Sequence, residues 1–126
     1  MKVGKEEMAG LLAAVERYVS LDPAVLESYC EDTVNLWCES LNAVTGLTAK
    51  RSFPNEAGQP LPRCHLDIDS HKAGMNRDAV VNALAEGIPS IMVEPVGDSG
   101  LYLNPMTLEA GEEKTVLDRL LAIVMR

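Results

Sequence analysis

The segment "PLPRCHLDID", residues 60–69, decides how this chain is read. From Arg63 onward polar and apolar residues alternate strictly, the period of a half-buried β-strand. Arg63, His65, Asp67 and Asp69 then share one face, and Cys64, Leu66 and Ile68 share the other. Such a strand needs helices behind its apolar side. Pro60 and Pro62 stiffen the approach, so the Arg63 guanidinium is delivered at the strand's start with little backbone freedom.

On the N-terminal side, "EEMAGLLAAVERYV" (6–19) sets Met8, Leu11, Leu12, Val15, Tyr18 and Val19 at helical spacing. Glu6, Glu7, Glu16 and Arg17 fall elsewhere, with acids near the helix's positive end. Asp22 is a capping residue and Pro23 suits a first helical position. A second, long helix follows through Val25, Leu26, Tyr29, Thr33, Leu36 and Trp37 toward Val44, with Gly46 as its stop. "LTAKRSF" (47–53) reads as a weak strand and "PNEAGQPLP" (54–62) as a loop.

Beyond Asp69, Asn76 is placed to cap a helix with Ala79, Val80, Ala83 and Leu84 as its stripe, ended by Gly87. "IPSIMVE" (88–94) and "LYLN" (101–104) read as strands joined through the hairpin turn "PVGDSG". "EAGEEKTVLDRLLAIVMR" (109–126) closes as a helix with Val116, Leu117, Leu120, Leu121 and Val124 inward. The order is α-α-β-β-α-β-β-α. The expected fold class is α+β: a two-layer sandwich over residues 1–126, its small, mainly antiparallel sheet covered by helices on one face.

Composition sets the functional bounds. The chain of 126 residues is 47% apolar, enough for one modest core. With one Trp, three Tyr and one Phe, that core must be mainly aliphatic. A net charge of −8 without a cluster of Lys and Arg argues against nucleic acid as a partner. No apolar run is long enough to span a bilayer, and "MKVGKEEMAG" lacks a signal-peptide core. Cys30, Cys38 and Cys64 are odd in number and lack CxxC spacing, which fits core thiols in a reducing compartment. Cytoplasm is the expected location.

Several chemistries can be weighed on the residues. His65, Asp67, Asp69 and His71 invite a metal reading, but side chains two apart on a strand are spaced ~7 Å. A solvated sheet face accounts for them better, and no metal site is expected. Arg63 offers a planar fork suited to a carboxylate; its plain reading is a surface pair with Asp67 or another acid. No GxSxG or P-loop spacing is present, and Cys64 and His65 point to opposite faces of their strand.

The two ends of the chain, "MKVGKEEMAGLLAAVERYVSLD" and "LYLNPMTLEAGEEKTVLDRLLAIVMR", together with "PLPRCHLDID", resemble one family. It is the L-seryl-tRNA(Sec) selenium transferase-like group of pyridoxal-phosphate enzymes, which includes D-glucosaminate-6-phosphate ammonia-lyase-type proteins. The resemblance implies the aspartate-aminotransferase type of fold, with this chain as its small C-terminal domain. It also implies a separate large domain that holds pyridoxal phosphate on a lysine, and an amino-acid-type substrate; a homo-oligomer is the expected assembly. By that resemblance Arg63 is a substrate-carboxylate anchor assisted by His65. The parent reaction would be lyase or transferase chemistry. No lysine in this chain stands in a recognisable cofactor context, so no catalytic residue and no bound cofactor are expected in it alone. The rival expectation is a stand-alone, non-catalytic α+β module that binds or dimerises through its open sheet face.

Overall fold

The computed structural model describes residues 2–126. Asp22 accepts a hydrogen bond from the Ala24 backbone and Pro23 stands at the first position of α2 (Pro23–Asn42), as helix-start chemistry requires. Ahead of it runs α1 (Lys5–Ser20), its first turn carrying Glu6 and Glu7. The chain then forms β1 (Leu47–Ser52), β2 (Arg63–Ile68), a one-turn α3 (Ser70–Ala73) and α4 (Arg77–Ala85). It ends with β3 (Glu94–Val96), β4 (Gly100–Leu103) and α5 (Glu112–Val124). The order is the one read from the sequence, with the single turn of α3 added before α4.

The four strands make one antiparallel sheet in the order β1-β2-β4-β3. Cys64, Leu66 and Ile68 all point into the core, as alternation demands. Leu47 and Ala49 from β1 and Leu101 and Leu103 from β4 join them on that face. Val34, Trp37 and Leu41 of α2, Val80 and Leu84 of α4, and five buried residues of α5 complete the cluster. Trp37 is 1% exposed and donates its indole N–H to the Glu113 carbonyl at 2.9 Å, tying α2 to α5.

Two local devices fix the sheet against the helices. Asn42, at the end of α2, donates to the Ala49 carbonyl at 2.8 Å and accepts from the Ala49 N–H at 2.7 Å. Gly46 turns the chain from α2 into β1 at φ +89°, and an added Cβ there would lie 2.6 Å from the Ala73 nitrogen. Only glycine admits α3 that close.

Three sequence expectations are corrected. Ile88–Val93 lies outside the sheet, and β3 starts at Glu94. Pro89 lacks a ladder donor, and Ile91 instead donates to the Leu84 carbonyl, folding the segment back on α4. Asp69 leaves the strand face: it caps α3 by accepting from the His71 and Lys72 backbone. Along α5, Ile123 is buried and Leu121 only half-buried.

The largest departure is α1. It forms as its periodicity dictates, yet buries no residue. Met8, Leu11, Leu12, Val15, Tyr18 and Val19 are all exposed, and Leu21, Val25 and Leu26 extend the apolar stripe onto the start of α2. So α1 does not cover the sheet; the covering layer is α2, α4 and α5.

Candidate functional site

The outward face of the sheet carries a side-chain cluster built around Arg63. Register places His65 of β2, Tyr102 of β4 and Glu94 of β3 in one row across the sheet. Alternation sends Arg63 and Asn104, two residues along from His65 and Tyr102, to the same face. The Arg63 guanidinium lies 3.5 Å above the Tyr102 ring centroid, a cation–π contact at close range. His65 sits 5.1 Å from Tyr102, ring to ring, and lies over Gly100, where a Cβ would come within 2.7 Å of its Nε2. The absent side chain at Gly100 is what leaves room for the imidazole.

Charge closes the cluster. Arg63 Nη1 donates to Glu56 at 2.9 Å and to Glu94 at 3.4 Å. Glu56 comes from the irregular segment between β1 and β2, and its other oxygen accepts from Asn104 Nδ2 at 3.1 Å. The Arg63 side chain is only 12% exposed, while that of Glu56 is 47% exposed. The buried Arg63 Nε has no hydrogen-bond partner among the described residues. Thus the strand start fixes the cation, and the more exposed acids reach it from the β1–β2 segment and from β3.

Beside this cluster opens a groove of about 240 Å³, lined by Glu56, Glu94, Tyr102 and Asn104 at its polar side and by Trp37 and Leu108 among its apolar residues. A second hollow of about 330 Å³, lined by Ser90, Met92, Glu112 and Thr115 among others, adjoins it. Neither is lined by a lysine. Lys2, Lys5, Lys50, Lys72 and Lys114 are all exposed. A Schiff-base lysine works in an enclosed, desolvated setting, and none of these five lies in one here.

The remaining sequence candidates separate. His65 Nδ1 lies 3.7 Å from Asp67, but Asp69 and His71 belong to the start of α3. Among the described residues no group of three His, Cys, Asp or Glu is arranged to hold a metal ion. Cys64 faces the core, 3.9 Å from the Cys38 sulfur, and burial pushes its thiol far above the ordinary range. Burial likewise raises Cys30 and Cys38, so none of the three is an activated nucleophile. Sequence reasoning missed Glu56, Glu94, Tyr102 and Asn104. Tyr102 and Asn104 were within reach, since "LYLN" alternates as cleanly as "RCHLDI"; Glu56 sits in a loop whose path no periodicity encodes.

An antiparallel sheet backed by helices, with a bare amphipathic helix ahead of it, defines a small α+β domain. The chain is similar to the small C-terminal domain of the D-glucosaminate-6-phosphate ammonia-lyase-type family, as the sequence resemblance implied. No family model matches it. The solved structure of a D-glucosaminate-6-phosphate ammonia-lyase superposes with a TM-score of 0.79 and 28% identity, covering 99% of this chain and 33% of the lyase. The D-glucosaminate-6-phosphate ammonia lyase of Salmonella typhimurium is 29% identical over 122 residues, 95% of this chain and 32% of the lyase. A 5'-C-glycyluridine monooxygenase-decarboxylase of a Streptomyces species is 30% identical over 125 residues, 95% of this chain and 30% of that enzyme. The chain therefore spans about a third of the length of the relatives it matches. Among the described residues no helix is long and apolar enough to cross a membrane.

Proposed function

We propose that this chain is the small domain of a pyridoxal-phosphate-dependent lyase or transferase, acting on an amino-acid-type substrate held mainly by a separate cofactor-bearing domain. The observation that carries the reading is the end-to-end match to one third of an ammonia lyase. In the assembled enzyme the cofactor supplies an electron sink for bond cleavage next to the substrate amine. This chain's residues bind and orient. Arg63 offers a fixed cation at a strand start, and a planar guanidinium pairs a carboxylate with directional hydrogen bonds. His65, packed on Gly100 and Tyr102, would assist from the next row of the same sheet face. The bare stripe of α1 supports the partner part of the reading, because an apolar face of that extent docks against another body in most soluble proteins. Assembly into a homo-oligomer and a cytoplasmic location complete this reading.

In the enzyme assembled with its cofactor-bearing domain, Arg63→Ala is expected to raise KM for the carboxylate-bearing substrate more than it lowers kcat. Unchanged kinetics would remove the anchor role from Arg63. The α1 stripe also serves a second reading, a stand-alone dimerisation module. Sedimentation of the chain with and without Leu12→Glu separates the two: a dimer that the substitution dissolves favours the module.

A further inference from the structure

We infer that Glu56 is the resident occupant of a carboxylate-binding site formed by Arg63 and Asn104, and that a ligand carboxylate binds there by displacing it. The inference rests on the reading of Arg63 as a carboxylate anchor and adds the residue that competes for it. Two donors converge on one carboxylate: Arg63 Nη1 on Oε2 at 2.9 Å and Asn104 Nδ2 on Oε1 at 3.1 Å. Asn104 Nδ2 also reaches Oε2 at 3.4 Å, so both oxygens are served, as a protein receives a free carboxylate. Arg63 is held in place by the Tyr102 ring beneath it and Glu94 beside it, so the receptor stays formed when Glu56 leaves.

The occupant, by contrast, is built to leave. Glu56 sits in an irregular segment, and its side chain is 47% exposed. Its side-chain hydrogen bonds go to Arg63 and Asn104 and to no other group among the described residues. The groove of about 240 Å³ runs alongside this pair, and its accessible apolar residues, Met92 and Leu108 among them, can take the body of a ligand whose carboxylate has replaced Glu56. Glu94 remains on Arg63 and discourages a second anionic group close to the first. The site therefore disfavours ligands that carry a second anionic group beside the carboxylate.

A site occupied by an internal competitor binds with an affinity reduced by the fraction of time it is free. Titrating the full chain with phenylacetate, followed by its backbone amide resonances, tests this. Glu56→Ala is expected to tighten binding by roughly three- to fivefold, the factor an exposed ion pair corresponds to, with shifts centred on Arg63, Tyr102 and Asn104. Arg63→Gln, or Asn104→Ala if the former disturbs the fold, should weaken it. Equal affinity for the parent chain and Glu56→Ala, with binding still lost on Arg63→Gln, would overturn the displacement and leave the anchor standing. Binding indifferent to Arg63, or none in any variant, would overturn both.

Discussion

Helices α1 and α5 are near twins in sequence pattern and opposites in fate. Both carry acids in the first turn and an apolar stripe at helical spacing. Yet α5 buries Val116, Leu117, Leu120, Ile123 and Val124, while α1 buries nothing. The comparison separates two statements that periodicity tends to merge. A stripe says that a helix forms and that one face is to be covered. It does not say that the cover lies in the same chain. The core beneath α5 is closed by α2, α4 and the sheet, so α1 is surplus to it.

The strongest challenge to this contrast is a truncation in α5. Leu120→Ala leaves a hole in a fully buried site and is expected to cost about 2–5 kcal/mol in urea unfolding of the chain. Should it cost as little as a surface change, α5 is not the packed partner described. The joint between helix and sheet comes next: Asn42→Ala strips the Ala49 N–H and C=O of their partners, with an expected loss of about 1–3 kcal/mol.

A smaller effect follows from the bridge between α2 and β1. Arg51 beside Glu31 holds that carboxyl below the ordinary glutamate range. A lowered folded-state value stabilises the fold above the ordinary value and ceases to do so as pH falls through it. Part of the chain's stability, no more than about 1 kcal/mol for an exposed pair, should therefore vanish on acidification, and Glu31→Gln should remove that part of the pH dependence. The smallest change is expected in α1. Leu12→Ser should shift the unfolding midpoint by the equivalent of less than about 0.5 kcal/mol while improving solubility. A loss matching that of Leu120→Ala would mean α1 packs on the body after all.

These contrasts show which parts of the molecule the sequence encodes legibly. The inward set of β2 was readable because alternation is a local property, and Cys64, Leu66 and Ile68 obey it. Caps at Asp22 and Asn76 were readable for the same reason: a side chain and a backbone N–H two or three residues away form the whole device. The segment from Ile88 to Val93 misled because it is apolar without being paired, and pairing is decided by distant residues such as Leu84. At the candidate site, Arg63 and His65 were legible as face-mates. Glu56 and Glu94 were not, since they meet Arg63 across 7 and 31 residues of chain.

The outermost strands carry a quieter consequence. At one rim of the sheet the amide of Asn42 engages both main-chain groups of Ala49, so an incoming strand finds the middle of β1 already taken. At the other rim β3 is only three residues long and has Pro95 at its centre. Both rims are thus poor templates for cross-β growth, and copies of this protein that meet must do so through side chains rather than by extending the ladder.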